Sequence, residues 1–150
     1  MNLHFEGQPD ITATRSRVWT ALLDPRFVAQ SAPGVEELDI RSPEAYRMRV
    51  GVGVAFFKVH VDMEVRLHDL VPEESARLTA TGHAAGTDVA VRSAVRIETL
   101  APDRQRLHWA ADGEVHGALA ELGARLLEGT VRTFTEDFWN DFARRVSAER

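Results

Sequence analysis

No cysteine occurs among the 150 residues, so the chain has no disulfide, no thiolate metal ligand and no cysteine nucleophile. Long apolar runs are missing as well: nothing approaches the roughly 20 residues of a membrane-spanning helix. Net positive charge is also lacking. Eighteen basic residues against 23 acidic ones leave −5, with a pI of about 5.7. That balance argues against nucleic-acid binding driven by charge. The basic residues are arginines except for Lys58, and they are scattered. The N-terminus lacks an apolar secretory core and carries Glu6 and Asp10, which predicts a cytoplasmic protein. Neither HExxH, GxSxG, GxxxxGKS/T nor GxGxxG is present, which removes the usual zinc-protease, nucleophile-elbow and phosphate-cradle readings.

What is present is ordinary globular material. Hydrophobic residues make up 44% and charged residues 27%, a composition that suits one folded domain spanning 1–150. The start alternates Leu3, Phe5 and Gly7 against Asn2, His4 and Glu6, which reads as a half-buried strand. Thr14 caps a short helix bearing Val18, Trp19, Leu22 and Leu23. Asp24-Pro25 ends it and starts a second, with proline at the first helical position. Pro33-Gly34 punctuates the chain. About six strands follow. The clearest sets Phe57, Val59, Val61, Met63, Val65 and Leu67 against Lys58, His60, Asp62, Glu64, Arg66 and His68. Such face-sorted strands build an antiparallel sheet covered on one side. Gly53 is expected to break the run before this strand.

From Gly117 to Val146 the period changes to three or four. Leu119, Leu122, Leu126, Thr130, Phe134, Phe138, Phe142 and Val146 form the apolar stripe of one long helix of about 45 Å. One apolar sheet face and one apolar helix stripe complete each other if the sheet curves around the helix, giving an α+β grip of about seven strands. The concavity is where a ligand would lie.

By strand parity the histidines and carboxylates point outward, so no catalytic residue and no metal or cofactor site is expected. The inward set is apolar with small gaps. The candidate ligand-binding residues are Tyr46, Phe57, Val61, Met63, Val91, Ser93, Trp109, Leu119, Leu122, Gly123 and Leu126. Tyr46 and Ser93 are the polar handles that could orient a ligand carbonyl or hydroxyl. Gly123 is read as an interior helix glycine on the buried face. Such a glycine costs about 1 kcal/mol relative to alanine, which points to close packing or room for a guest.

Several segments resemble the carbon monoxide dehydrogenase G-subunit family of the START/Bet v 1-like helix-grip superfamily, also called SRPBCC or polyketide-cyclase-like. They are Val18-Trp19-Thr20-Ala21-Leu22-Leu23-Asp24-Pro25, Ser31-Ala32-Pro33-Gly34, Gly53, the Gly82 to Gly86 region, Leu122-Gly123-Ala124-Arg125-Leu126-Leu127 and the aromatic Phe134 to Phe142 tail. The resemblance implies a cavity for a hydrophobic, quinone-like molecule and an accessory role beside a molybdenum hydroxylase. It also implies links to membrane recruitment and quinone-level electron transfer. Two features depart from the family: Ser31-Ala32 stand where Cys-Ile is common, and longer members carry a C-terminal extension suited to membrane contact. Membrane contact is therefore expected to be peripheral at most. The resulting expectation is noncatalytic binding of a lipophile. The alternatives are a cyclase, dehydratase or hydrolase of the same superfamily, or an assembly module with a filled core.

Overall fold

The computed structural model describes residues 1–54 and 56–148. The chain begins with strands Asn2–Gly7 (β1) and Asp10–Ile11 (β2). Two short helices follow, Arg15–Leu22 (α1) and Pro25–Ser31 (α2). The Thr14 hydroxyl accepts from Arg17 N at 3.3 Å and the Asp24 carboxylate from Arg26 N at 3.0 Å. Each cap satisfies a backbone donor that the first helical turn leaves unpaired. Pro33 forces its predecessor out of helical geometry, and Ala32 is extended at φ −78°, ψ 120°.

Six strands come next: Val35–Ser42 (β3), Ala45–Val54 (β4), Phe57–Val71 (β5), Ser75–Ala84 (β6), Thr87–Ala101 (β7) and Arg104–Gly117 (β8). Every pairing is antiparallel, in the order β1-β8-β7-β6-β5-β4-β3, with β2 also on β8. Strands of 14 and 15 residues span about 50 Å at roughly 3.3 Å per residue. Over that length the inherent twist coils the sheet and gives it a concave face. Gly53 does not break the run as expected: β4 continues through it to Val54.

Strand parity places Val50, Val65, Ala80, Leu107 and Val115 in the interior and their neighbours outside. The helix Ala124–Ala148 (α3) lies on the concave side, touching β1, β2, β4, α1 and α2. Two buried clusters result. One gathers Ile11, Val18, Ala21, Ile97, Leu107, Phe142 and Val146 where α1 meets the C-terminal part of α3. The other centres on Tyr46, Val65 and Ala80, well along the sheet.

The long helix is shorter than its periodicity suggests. Ala118–Leu122 form a 3-10 turn, and the α-helix begins only at Ala124. The junction glycine, Gly123, has φ +110°, ψ 137°, a conformation that side chains with a Cβ rarely adopt. The turn is tied to the β6–β7 hairpin, with Ala118 N donating to Gly86 O at 2.9 Å and Leu119 N to Thr87 Oγ1 at 3.0 Å.

Candidate functional site

Between the two clusters lies a cavity of about 260 Å³. Its floor is the middle of the sheet, where small residues (Ala76, Ala80, Ser93 and Ala111) keep the strands' inner face low. Tyr46, Met48, Met63 and Val65 rise along the β4–β5 side, and Val28 of α2 and Ala32 just after it border one end. The roof is Phe134, Phe138 and Trp139 of α3. The roof rings brace one another. Phe138 meets Trp139 edge-on at 4.9 Å and stacks on Phe142 at 6.1 Å, while Trp139 stacks on Trp109 at 5.4 Å with 18° between the planes. On β6, Gly82 leaves room for a neighbouring side chain to lie flat. A Cβ there would come within 2.3 Å of Met63 Sδ, so Met63 covers that backbone.

Helix α2 is held in place from below. Arg145 of α3 donates to Phe27 O at 2.7 Å, to Ser31 Oγ at 2.6 Å and to Gln30 Oε1 at 2.7 Å. Its guanidinium also sits 3.9 Å from the centre of the Phe27 ring. One side chain thereby fixes the element that carries Val28 and Ala32 to the cavity.

Of the eleven candidate residues, Tyr46, Met63, Val91 and Ser93 line this cavity. Trp109 is displaced by one layer. It is 7% exposed and stands behind Trp139. Val61 is half-buried beside Met63 over Gly82, and Leu119 is half-buried in the 3-10 turn. Four candidates require correction. Phe57 is 64% exposed. The β4–β5 hairpin pairs out to Val54 and Phe57, whereas β6 joins β5 only from Asp62, so β6 does not cover the hairpin's end. Leu122 and Leu126 are 43% and 40% exposed. Leu126 and Leu127 lie in the same unbroken helix as Phe142. Each step of four overshoots a 3.6-residue turn by about 40°. Leu126 has therefore drifted off the stripe, and Leu127 is buried in its place. Gly123 itself is exposed, with no atom within 4 Å of a would-be Cβ. It serves backbone geometry and makes no room for a guest.

Trp139 is the lining residue that the periodicity argument passed over. It stands three residues before Phe142 and seven before Val146, so the same step rule places it on the stripe.

Ionisable groups stand apart from this hollow. His4 bonds Asp112 at 2.7 Å, His60 bonds Glu36 at 2.6 Å, His83 bonds Asp88 at 2.6 Å and His108 bonds Glu98 at 2.8 Å. These pairs lie on the sheet's other face. Their hydrogen bonds hold the Glu36 and Glu98 carboxyls below the usual carboxylate range, and Asp112 raises the His4 imidazole. Among the described residues no group of three or more such side chains can hold a metal. A depression of about 490 Å³ between Arg41, Arg47, Glu64 and Arg66 belongs to that charged outer face. Inside, the titratable side chain is the Tyr46 phenol, pushed up to about 12 by burial. Arg77 borders the cavity from an exposed position, its guanidinium 4.0 Å from Asp69.

The sequence pattern of the carbon monoxide dehydrogenase G subunit (CoxG) matches residues 7–147. The chain belongs to the CoxG family. No curated protein matches it. Its CoxG fold is shared by a conserved protein from Geobacillus kaustophilus, at TM-score 0.86 and 21% identity over 97% of this chain and 95% of that one. A START superfamily protein from Mycobacterium smegmatis aligns at TM-score 0.73 and 13% identity over 95% and 96%. The Zhui aromatase/cyclase from Streptomyces sp. R1128 aligns at 0.72 and 19% over 97% and 94%. At these identities the likeness establishes the helix-grip fold of the START/Bet v 1-like superfamily. No helix among the described residues of this CoxG member is long and apolar enough to cross a membrane.

Proposed function

We propose that this protein is a noncatalytic binder of a hydrophobic, quinone-like small molecule and serves a molybdenum hydroxylase of the carbon monoxide dehydrogenase type in the cytoplasm. The observation that carries the binding half is the 260 Å³ cavity under Phe134, Phe138 and Trp139, whose lining among the described residues is apolar apart from Tyr46, Ser93 and Arg77 at its rim. Binding would draw on apolar burial at about 25 cal/mol per Å², reduced by the cost of association. Family membership supports the partner half. Native mass spectrometry of the purified protein is the direct test. A bound apolar mass that Ala80→Leu removes supports the reading, and failure of any lipophile to bind overturns it. For the partner, faster quinone reduction by the molybdenum enzyme when this protein is added is the expected result.

A second reading has one observation in its favour. The Tyr46 phenol is a polar group in an otherwise apolar hollow, where it could hold a reacting oxygen in a cyclase, dehydratase or hydrolase. Turnover of polyketide-like or ester substrates, lost in Tyr46→Phe, would establish that reading.

A further inference from the structure

Two side-chain hydroxyls border the cavity, and their states differ. Ser93 Oγ donates to Ala110 O at 2.9 Å, so its proton is committed and it offers lone pairs only. The Tyr46 hydroxyl has no hydrogen-bond partner among the described residues, although the residue is only 4% exposed. Nor is its oxygen sealed inside protein, and Tyr46 lines the cavity. A hydroxyl whose proton is committed to no protein group is available to a guest atom able to accept it. The two hydroxyls serve different places. Tyr46 is on β4 and Ser93 on β7, three strand spacings or roughly 14 Å apart across the sheet.

Charge complementarity limits the guest further. A carboxylate or ammonium placed here would shed its water without gaining a counter-ion, because the acids and bases lie on the outer face and Arg77 at the rim faces Asp69. The shape is that of a slot, with small residues (Ala76, Ala80 and Ala111) below and the braced aromatic rings above. We propose that Tyr46 is the polar anchor of the cavity and that its guest is a neutral, ring-bearing lipophile whose carbonyl oxygen accepts the phenol proton. This rests on the ligand-binding reading above and adds the chemistry of the guest's polar end.

The test uses a matched pair of probes, 2-acetylnaphthalene and 2-ethylnaphthalene, which differ in the oxygen, with 2-naphthoate as the charged analogue. Affinities are measured by isothermal titration calorimetry on the full chain and on Tyr46→Phe. The wild type is expected to prefer the ketone and reject the carboxylate. Tyr46→Phe is expected to weaken the ketone about tenfold and leave the hydrocarbon within twofold. The carbonyl stretch of the bound ketone is expected at lower frequency in the wild type than in the variant, a shift that a purely structural role for Tyr46 would not produce. Equal losses for both neutral probes, or none for either, would overturn the anchor while leaving the cavity reading intact. If neither neutral probe binds the wild type, the cavity reading fails and the anchor fails with it.

Discussion

Tyr46 is the sole tyrosine of the chain, so its ionisation can be followed without interference from another phenol. Its folded value is about 12, against an ordinary value of 10.0, and burial is the cause. A raised phenol pKa means that the folded state keeps a proton the unfolded state releases. The associated stability is full below about pH 10 and is lost as pH rises from there to 12. Two pKa units correspond to about 2–3 kcal/mol. Tyrosinate absorbance should therefore show a midpoint near 12 in the native protein and near 10 in denaturant. Tyr46→Phe should flatten the alkaline limb of a stability–pH curve. Gly123 makes a contrasting prediction at the same scale. Alanine there should cost about 1–3 kcal/mol in a denaturant titration, because φ +110° strains any side chain with a Cβ, and should leave guest binding unchanged. Parity arithmetic could find Tyr46, Met63, Val91 and Ser93, because a strand's period of two survives any curvature. It could not find the role of Gly123, since a positive φ leaves no periodic trace.

At the scale of elements, the strands were legible because each alternates cleanly, and the short helices because Thr14 and Asp24-Pro25 are local signals. The start of α3 was not legible. Leu119, Leu122 and Leu126 continue the spacing of the true stripe, yet the chain turns at Gly123 before α3 begins. Within α3 the drift of steps of four puts Leu127 on the buried face instead of Leu126. Phe57 likewise has the right parity, but it lies beyond the end of β6 pairing, and pairing length is a tertiary fact. The α2–α3 junction yields a prediction. Arg145→Met keeps the stem over Phe27 but removes three hydrogen bonds, two to side-chain oxygens and one to a carbonyl. It should cost about 1–3 kcal/mol. Hydrogen exchange should rise first in α2, and guest dissociation should quicken, since α2 carries Val28 and Ala32 to the cavity. Ala80→Leu acts on the floor instead. It should change stability by less than about 1.5 kcal/mol, because added methylenes enter space already empty, and it should abolish uptake.

For the whole molecule, the consequence is a division of labour along α3. Its C-terminal part closes a dense core with Ile11, Val18 and Leu107, while its middle spans a hollow. Stability therefore resides at one end, and the other is free to stay incompletely packed. A guest joins the two clusters and binds only the folded chain. At a hundredfold excess over Kd it should add about 2.7 kcal/mol, which for a domain of this size raises Tm by roughly 5–10 °C. Thermal unfolding with and without 2-acetylnaphthalene reads this directly, and an unchanged midpoint at saturating probe would contradict it.

The Trp109–Trp139 stack has an optical consequence. Two indoles stacked 5.4 Å apart, with their planes 18° from parallel, couple their transition dipoles, so their circular dichroism should carry a split band of opposite lobes. Trp139 faces the hollow on its other side, and an arriving molecule perturbs one chromophore of the pair before the second. The band should reshape as the site fills and vanish in Trp139→Phe. The protein would then signal its own occupancy with no label attached.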